Sequence, residues 1–403
     1  MMSRNQIGPE SESVTSNSQP TSTDRSTLLT TTDTNKLSTV KRKTTNIIKL
    51  PTVTKKATDI IKLSTMAPET TTYEFTTTTH KFTTTTHELT TAAANPTTQV
   101  QSKPKCDKWN QHGITVAGGN GIGDQVNQLT DPSGIYIDDN KTILIADTGN
   151  NRIVEWKYKS NSGKVIAGGN GLGNDLDQLS RPTDVTVDRE KNAVIICDHG
   201  NQRVMRWFRQ SEKNPQVFIS KIKCNSVAID KDGSIYVSDW EMAEVRRWKK
   251  GGTDGTLVAG GNGGGSLLNQ LNWPQKIFID EEYSVYVANT ANHRIIKWKK
   301  GAKEGIIVAG GDRYGNHLNQ LEDPFAALVD NLGQIIISDH RNHRVMRWYE
   351  GDTVGSIVVG GSRKGNEPDQ LNYPKDLSFD VEGNLYVTDS GNHRIQKYEL
   401  CTE

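Results

Sequence analysis

Downstream of Gly113 the chain consists of short apolar runs separated by glycine-rich or polar breaks, and within most runs apolar and polar residues alternate. The last complete stretch displays the pattern. GSIVVGG (355–361) is a β-branched run ended by glycines, and SRKGNEPDQLNYP is a polar loop ending at Pro374. KDLSFD and NLYVTD then alternate on either side of an EGN turn, and HRIQKYEL follows SGN. Alternation over four to eight residues predicts half-buried strands, and the Gly, Asn and Asp clusters predict turns. Each stretch thus predicts four strands, lettered d, a, b and c in chain order. No segment repeats its apolar residues at helical spacing, so the fold class is all-β.

The b–c turn carries a phrase that recurs six times: DTGNNRIVEW from Asp147, DHGNQRVMRW from Asp198, DWEMAEVRRW from Asp239, NTANHRIIKW from Asn289, DHRNHRVMRW from Asp339 and DSGNHRIQKY from Asp389. Successive copies start 51, 41, 50, 50 and 50 residues apart, the mark of a repeat architecture. One four-stranded sheet cannot bury both its faces alone, so the sheets must pack on one another. The first strand, GITVAGG (113–119), is a d strand with no unit before it, and the last unit lacks a d strand. Each end supplies what the other lacks. The prediction is a six-bladed β-propeller of four-stranded antiparallel blades over 106–403, with residues 114–118 completing the last blade beside 393–399.

Within the phrase, Asp147, Asp198, Asp239, Asp339 and Asp389 end strand b, and Arg152, Arg203, Arg294, Arg344 and Arg394 begin strand c. Asp and Asn are expected to bond to their own turn backbone, and Arg to reach a carboxylate in the same or the next blade. Chemistry needed once is rarely written six times, so these residues are expected to be structural clamps. Trp156, Trp207, Trp248, Trp298, Trp348 and Tyr398 lie four residues beyond the Arg position and should pack between blades.

Composition separates a second region. Residues 1–105 hold no Trp, one Gly (Gly8) and about thirty Thr, whereas all eight Trp lie downstream. Too few large apolar side chains remain to offset ordering entropy, so a disordered Thr-rich tail or stalk is expected, of a composition that carries O-glycans. The tail holds 13 Lys and Arg against 8 Asp and Glu, which leaves 35 against 39 in the repeats. That balance lacks the basic footprint of a nucleic-acid binder. Nowhere does the sequence approach the apolar length of a membrane span, and the opening MMSRNQIGPESESV has no signal-like apolar stretch.

A Pro six residues before the Asp that ends strand a recurs as Pro132 and Asp138, Pro182 and Asp188, Pro274 and Asp280, Pro324 and Asp330, and Pro374 and Asp380. Followed by D-x-x-N-x-R, it resembles the NHL-repeat family over nearly all of 106–403. The resemblance implies the propeller. It also implies one of three roles: a protein-binding module, an RNA-binding or ubiquitin-ligase-associated module like those of tripartite-motif proteins, or a metal-dependent lyase similar to peptidylglycine α-hydroxyglycine lyase with its site in the central channel. No C-x-x-C is present for a zinc-binding RING. The axis-facing positions Gly134, Asp184, Ser226, Lys276, Ala326 and Asp376 are too mixed for a ligand set, and the lyase's histidine ligands find no counterpart. His293, His343 and His393 occupy equivalent turns on successive blades, too far apart for one metal, and are expected to face solvent. His340 and His343 share a turn and offer at most an adventitious pair. No catalytic residue, metal or cofactor is expected.

Four cysteines remain. Cys106 and Cys401 flank the point where the ring closes, and a disulfide between them would replace the missing covalent turn; two free thiols are the alternative. Cys197 and Cys224 take slots filled elsewhere by a small residue and by Pro, and read as structural. With the stalk and the sequon Asn140-Lys141-Thr142, the cysteine placement favours an extracellular or cell-surface setting. Blade three departs most from the repeat: SKIKCNS replaces the long d–a loop, Glu244 replaces the Arg, and the turn reads Trp240-Glu241-Met242-Ala243. A protein or glycan ligand is therefore expected on the loop-rich face of a non-catalytic, monomeric propeller, at Trp240, Glu241, Met242 and Glu244.

Overall fold

The computed structural model describes residues 108–209, 213–311, 313–361 and 363–401, and three short strands upstream, Leu37–Arg42, Ile47–Pro51 and Tyr73–Phe75. Those three pair into a small antiparallel sheet, with Leu37–Arg42 in the middle, inside a unit separate from the repeats. The rest of the Thr-rich segment lies outside the described residues.

The repeats form six four-stranded antiparallel sheets. Blade one runs Pro132–Ile137, Ile143–Asp147, Arg152–Trp156 and Lys164–Gly168 as strands a to d. Blades two to five repeat that order, and blade six joins Pro374–Phe379, Leu385–Asp389 and Arg394–Tyr398 to the N-terminal strand Ile114–Gly118. In the closing pair Arg394 faces Gly118 and Lys397 faces Ile114. Each a strand touches the next around the ring, and that of blade six touches that of blade one. The chain beyond strand c extends the closure: Trp109 bridges Leu400, the Cys401 N–H donates to the Lys108 carbonyl at 2.9 Å, and buried Trp109 stacks on Phe379. Cys401 is disulfide-bonded; Cys106, its expected partner, lies outside the described residues.

Every blade shifts register between strands c and d, as between Ile153 and Val154. Such bulges disrupt the exposed edge strand and protect it from pairing with another chain. At the a–b turns the Asp after strand a accepts turn N–H groups, Asp138 from Asn140 and Thr142 at 2.9 and 2.8 Å. Between blades the expected aromatics are buried: Trp156 packs with Tyr386 of blade six, and Trp298 with Tyr236 of blade three. Trp207 is only half-buried.

The recurring phrase does not bond chiefly to its own turn, as expected, but grasps the loop that leads into its blade. In blade one the Thr130 N–H donates to Asp147 Oδ1 at 2.7 Å, Asn150 Nδ2 donates to Asp147 Oδ2 and to the Gly123 carbonyl, and Arg152 donates from Nε to Asp147 and from its other nitrogens to the carbonyls of Asp124, Gln125 and Gln128. The same set holds at Asp198 and Arg203, Asp339 and Arg344, and, lacking one loop bond, at Asp389 and Arg394. The grip seats a loop leucine between blades: Leu129, Leu179, Leu271, Leu321 and Leu371 are all fully buried. Leu129 lies against Gly118, where a Cβ would sit 2.9 Å from its Cδ1 and 2.4 Å from the His393 carbonyl, and where φ is +68°. Hence the Gly-Gly pair that ends each long-loop strand d.

Blade three has lost loop and grip together. Without the loop there is nothing for an Arg to hold, and Asp239 turns its Oδ1 to the N–H groups of Glu241 and Met242 in its own turn. Ile222 takes the leucine's place in the core. Cys197 and Cys224 are structural as a pair: they form a disulfide with Cα atoms 5.8 Å apart, because the small-residue slot and the Pro slot adjoin across the gap between blades two and three. A cross-link closing 27 residues stabilises by roughly 3–4 kcal/mol in chain-entropy terms.

Blade four carries Asn289 in place of Asp. Its Oδ1 accepts from Asn272 and Asn292, which turns Nδ2 toward the Arg294 Nε, and neither of these donors has an acceptor. Burial, with no carboxylate beside it, lowers the Arg294 guanidinium below its usual value. Asn289→Asp is expected to raise thermal stability by about 1 kcal/mol, and Arg344→Leu, which leaves Asp339 buried without a counter-ion, to lower it by about 3–5 kcal/mol. Calorimetric melting of both variants tests the pair.

Candidate functional site: the loop-bearing face

The grip places the long loops and the b–c turns on one end of the ring. The opposite end carries the a–b and c–d turns.

At the axis, the expected inward-facing residues do meet. Lys276 Nζ of blade four bridges Asp184 Oδ1 of blade two at 2.7 Å and Asp376 Oδ2 of blade six at 2.6 Å. Ser226 Oγ and the Val227 N–H donate to Asp184 Oδ2, and the Ile135 N–H donates to Asp376 Oδ2. Gly134 leaves room for the carboxylate, since a Cβ there would lie 2.4 Å from Asp184 Oδ1. Burial pushes the Asp376 carboxyl up, against the pull of Lys276. Burial also opposes the Lys276 ammonium, yet the two carboxylates hold it above its ordinary value. A fixed ammonium thus stands between the two carboxylates that would be the natural ligands of a channel cation.

Toward the loop-bearing end, side chains of one blade latch onto the backbone of the next. Thr148 and Thr290 donate to the Pro182 and Pro324 carbonyls at 2.7 Å, and His340 Nδ1 donates to the Pro374 carbonyl at 3.0 Å. His293, His343 and His393 do not simply face solvent: each accepts at Nδ1 an N–H of the next blade's loop, from Asp323, Tyr373 and Asp131 at 3.1–3.2 Å. These bonds also occupy the His340–His343 pair, and no cluster of metal-ligating side chains occurs among the described residues.

Two aromatic tracks lie on this face. Phe325, His340, Tyr373 and His343 follow one another at 5.8, 5.1 and 4.6 Å between ring centres, beside a cleft lined by Asp131, Asp323, Arg341 and Lys375. The second track is His199, Trp240 and Trp273, at 6.2 and 6.1 Å. It lies where blade three lacks its loop. Met242 is 57 % exposed and Trp273 54 %. Glu241 is exposed and paired with Lys223, whose ammonium lies over the Trp240 ring. Trp240 is half-buried, and its buried Nε1 has no partner. Glu244 is placed beneath the surface, held by Arg246 Nε at 2.5 Å.

Trp273 escaped the sequence reading although it directly precedes the repeated Pro, as Asp131, Arg181, Asp323 and Tyr373 do. All five have left-handed torsions, with φ between +47° and +53°. Asp tolerates that conformation; a bulky aromatic is strained in it. The Asp131, Arg181, Asp323 and Tyr373 N–H groups are latched by the preceding blade, whereas Ala243 offers Trp273 no side-chain acceptor.

Comparison with known proteins agrees with this architecture. The NHL repeat profile matches residues 129–156 and 371–398. The chain is an NHL-repeat propeller. No curated protein sequence matches it. Among solved structures, the NHL propeller is similar to a Bacteroides thetaiotaomicron protein of unknown function at 19 % identity and TM-score 0.57, covering 72 % of this chain and 76 % of the other. An auxiliary nutrient binding protein from the same organism matches at 14 % identity and TM-score 0.57, over 71 % and 76 %. A Xanthomonas campestris gluconolactonase matches at 15 % and 0.50, over 68 % and 87 %. At such identities the likeness concerns the fold alone.

The NHL ring's latches make it acid-sensitive. Burial lowers His340 to about 4 and also lowers His343. Both stay neutral in the fold where an unfolded chain binds protons, so their stabilisation is complete above about pH 6.5 and declines as pH falls toward 4. Chemical denaturation across that range should show the decline, flattened in His340→Gln, whose amide still donates to Pro374. Lys276→Met, which leaves two buried carboxylates facing each other, should lower stability by about 3–5 kcal/mol at neutral pH and less at pH 4.

Proposed function

We propose that this NHL propeller is a non-catalytic binding module that takes a protein or glycan ligand on its loop-bearing face, centred on Trp240, Trp273 and Met242. The observation that carries the reading is the bared aromatic track at blade three, where a shortened loop coincides with a strained, exposed Trp. The channel supports it from the other side, since Lys276 takes the place a catalytic cation would need. The net acidity of the repeats argues against a nucleic-acid ligand. No transmembrane-length apolar helix is present among the described residues, and the Cys197–Cys224 disulfide favours an oxidising, extracellular setting.

The test is binding of the full chain to a glycan array and to immobilised extracellular proteins, with Trp273→Ala and Met242→Ala beside the wild type. Both exposed side chains are expected to leave the melting temperature unchanged and to weaken ligand capture at least tenfold. Binding that is indifferent to both, or turnover of a lactone or peptidyl-hydroxyglycine substrate by the wild type, would overturn the reading.

A further inference from the structure

The a–b turns lie at the end of the ring opposite the aromatic tracks, and one of them carries an Asn-x-Thr sequence. Each has a left-handed residue after its Asp, supplied by Gly233, Gly333 and Gly383 in blades three, five and six, by Asn192 in blade two and by Tyr283 in blade four. Blade one instead reads Asn140-Lys141-Thr142, with Lys141 at φ +60°. This is the single Asn-x-Ser/Thr sequence in the chain whose middle residue is not Pro.

Its geometry suits an acceptor. Asp138 Oδ1 takes the backbone N–H groups of Asn140 and Thr142, and the Lys141 N–H closes the turn on the Asp138 carbonyl at 2.9 Å. The backbone is thereby committed, whereas the Asn140 side chain is exposed and its amide makes no hydrogen bond among the described residues. Thr142, two residues on, is half-buried, its hydroxyl also unengaged among the described residues. The disulfides at Cys197–Cys224 and at Cys401 belong to the oxidising compartment in which such acceptors are modified.

We infer that Asn140 is an N-glycosylation site, the glycan projecting from the end of the propeller opposite the ligand face. In the transfer the Asn140 Nδ2 forms a bond to the anomeric carbon of a lipid-pyrophosphate-linked oligosaccharide. The bond from that carbon to the pyrophosphate oxygen breaks, the lipid pyrophosphate leaves, and the amide gives up one proton; no oxidation is involved. The Thr142 hydroxyl is the sequon's second requirement. The inference is independent of the ligand proposed above and leaves that face unobstructed.

The experiment is peptide mapping of the full chain passed through a eukaryotic secretory pathway, with and without peptide-N-glycosidase, beside Asn140→Gln, Thr142→Ala and Thr142→Ser. The wild type and Thr142→Ser are expected to carry a glycosidase-sensitive mass on the Asn140 peptide, lost in the other two, with Cys197–Cys224 oxidised throughout and ligand capture unchanged. An unmodified Asn140 in chain whose Cys197–Cys224 bond has formed would overturn the site. An unmodified Asn140 in reduced chain would overturn it by removing its compartment.

Discussion

The buried clasp of Asp, Asn and Arg on the incoming loop is the constraint from which most of this propeller follows. Its ion pair is not a large source of stability: burial pushes the carboxyls of Asp147, Asp339 and Asp389 up in spite of the guanidinium beside each, as expected where desolvation offsets attraction. Its contribution is conformational. Three side chains satisfy loop carbonyls and one loop N–H that would otherwise be buried without partners, and in doing so they select the one loop path that drives a leucine between two blades. That leucine, the Gly-Gly pair beneath it and the Trp at the far end of strand c form one inter-blade core, repeated around the ring.

Because the clasp is a unit, it is lost as a unit. Blade three has no Arg, no phrase Asn and no long loop, and it is joined to blade two by other means: Ile222 fills the core and the Cys197–Cys224 disulfide ties the seam. The consequence reaches the surface. With the loop gone, Trp240 and Trp273 from adjacent blades meet in the space it leaves. A ring of near-identical blades thus acquires one distinct sector.

The axis shows the same economy. Six equivalent positions converge there, and a Lys between two Asp neutralises what would otherwise be buried like charge. Small Gly134, Ser226 and Ala326 occupy the alternate positions and leave the three long side chains room to meet. Ion pairs thus occupy the axis where the a strands of the six blades converge.

Much of this was written in the sequence because a repeat reports its own register. The period, the alternation and the unmatched end strands determined six blades, the pairing of 114–118 with the last blade, the inter-blade position of most of the aromatics and the departure at blade three. Local pattern also located the Asp and Arg of the phrase, but assigned their partners to the nearest backbone. What only the tertiary structure decided were contacts between residues far apart in sequence: the grip of Arg152 on carbonyls some 24–28 residues earlier, the histidine latches, the meeting of Lys276 with Asp184 and Asp376, the Cys197–Cys224 bond and the tilted contact of Trp240 with Trp273. Alternation specifies which face of a strand a side chain occupies. Which side chain of another blade it meets is set by how the sheets close on one another, and no periodicity along the chain encodes that.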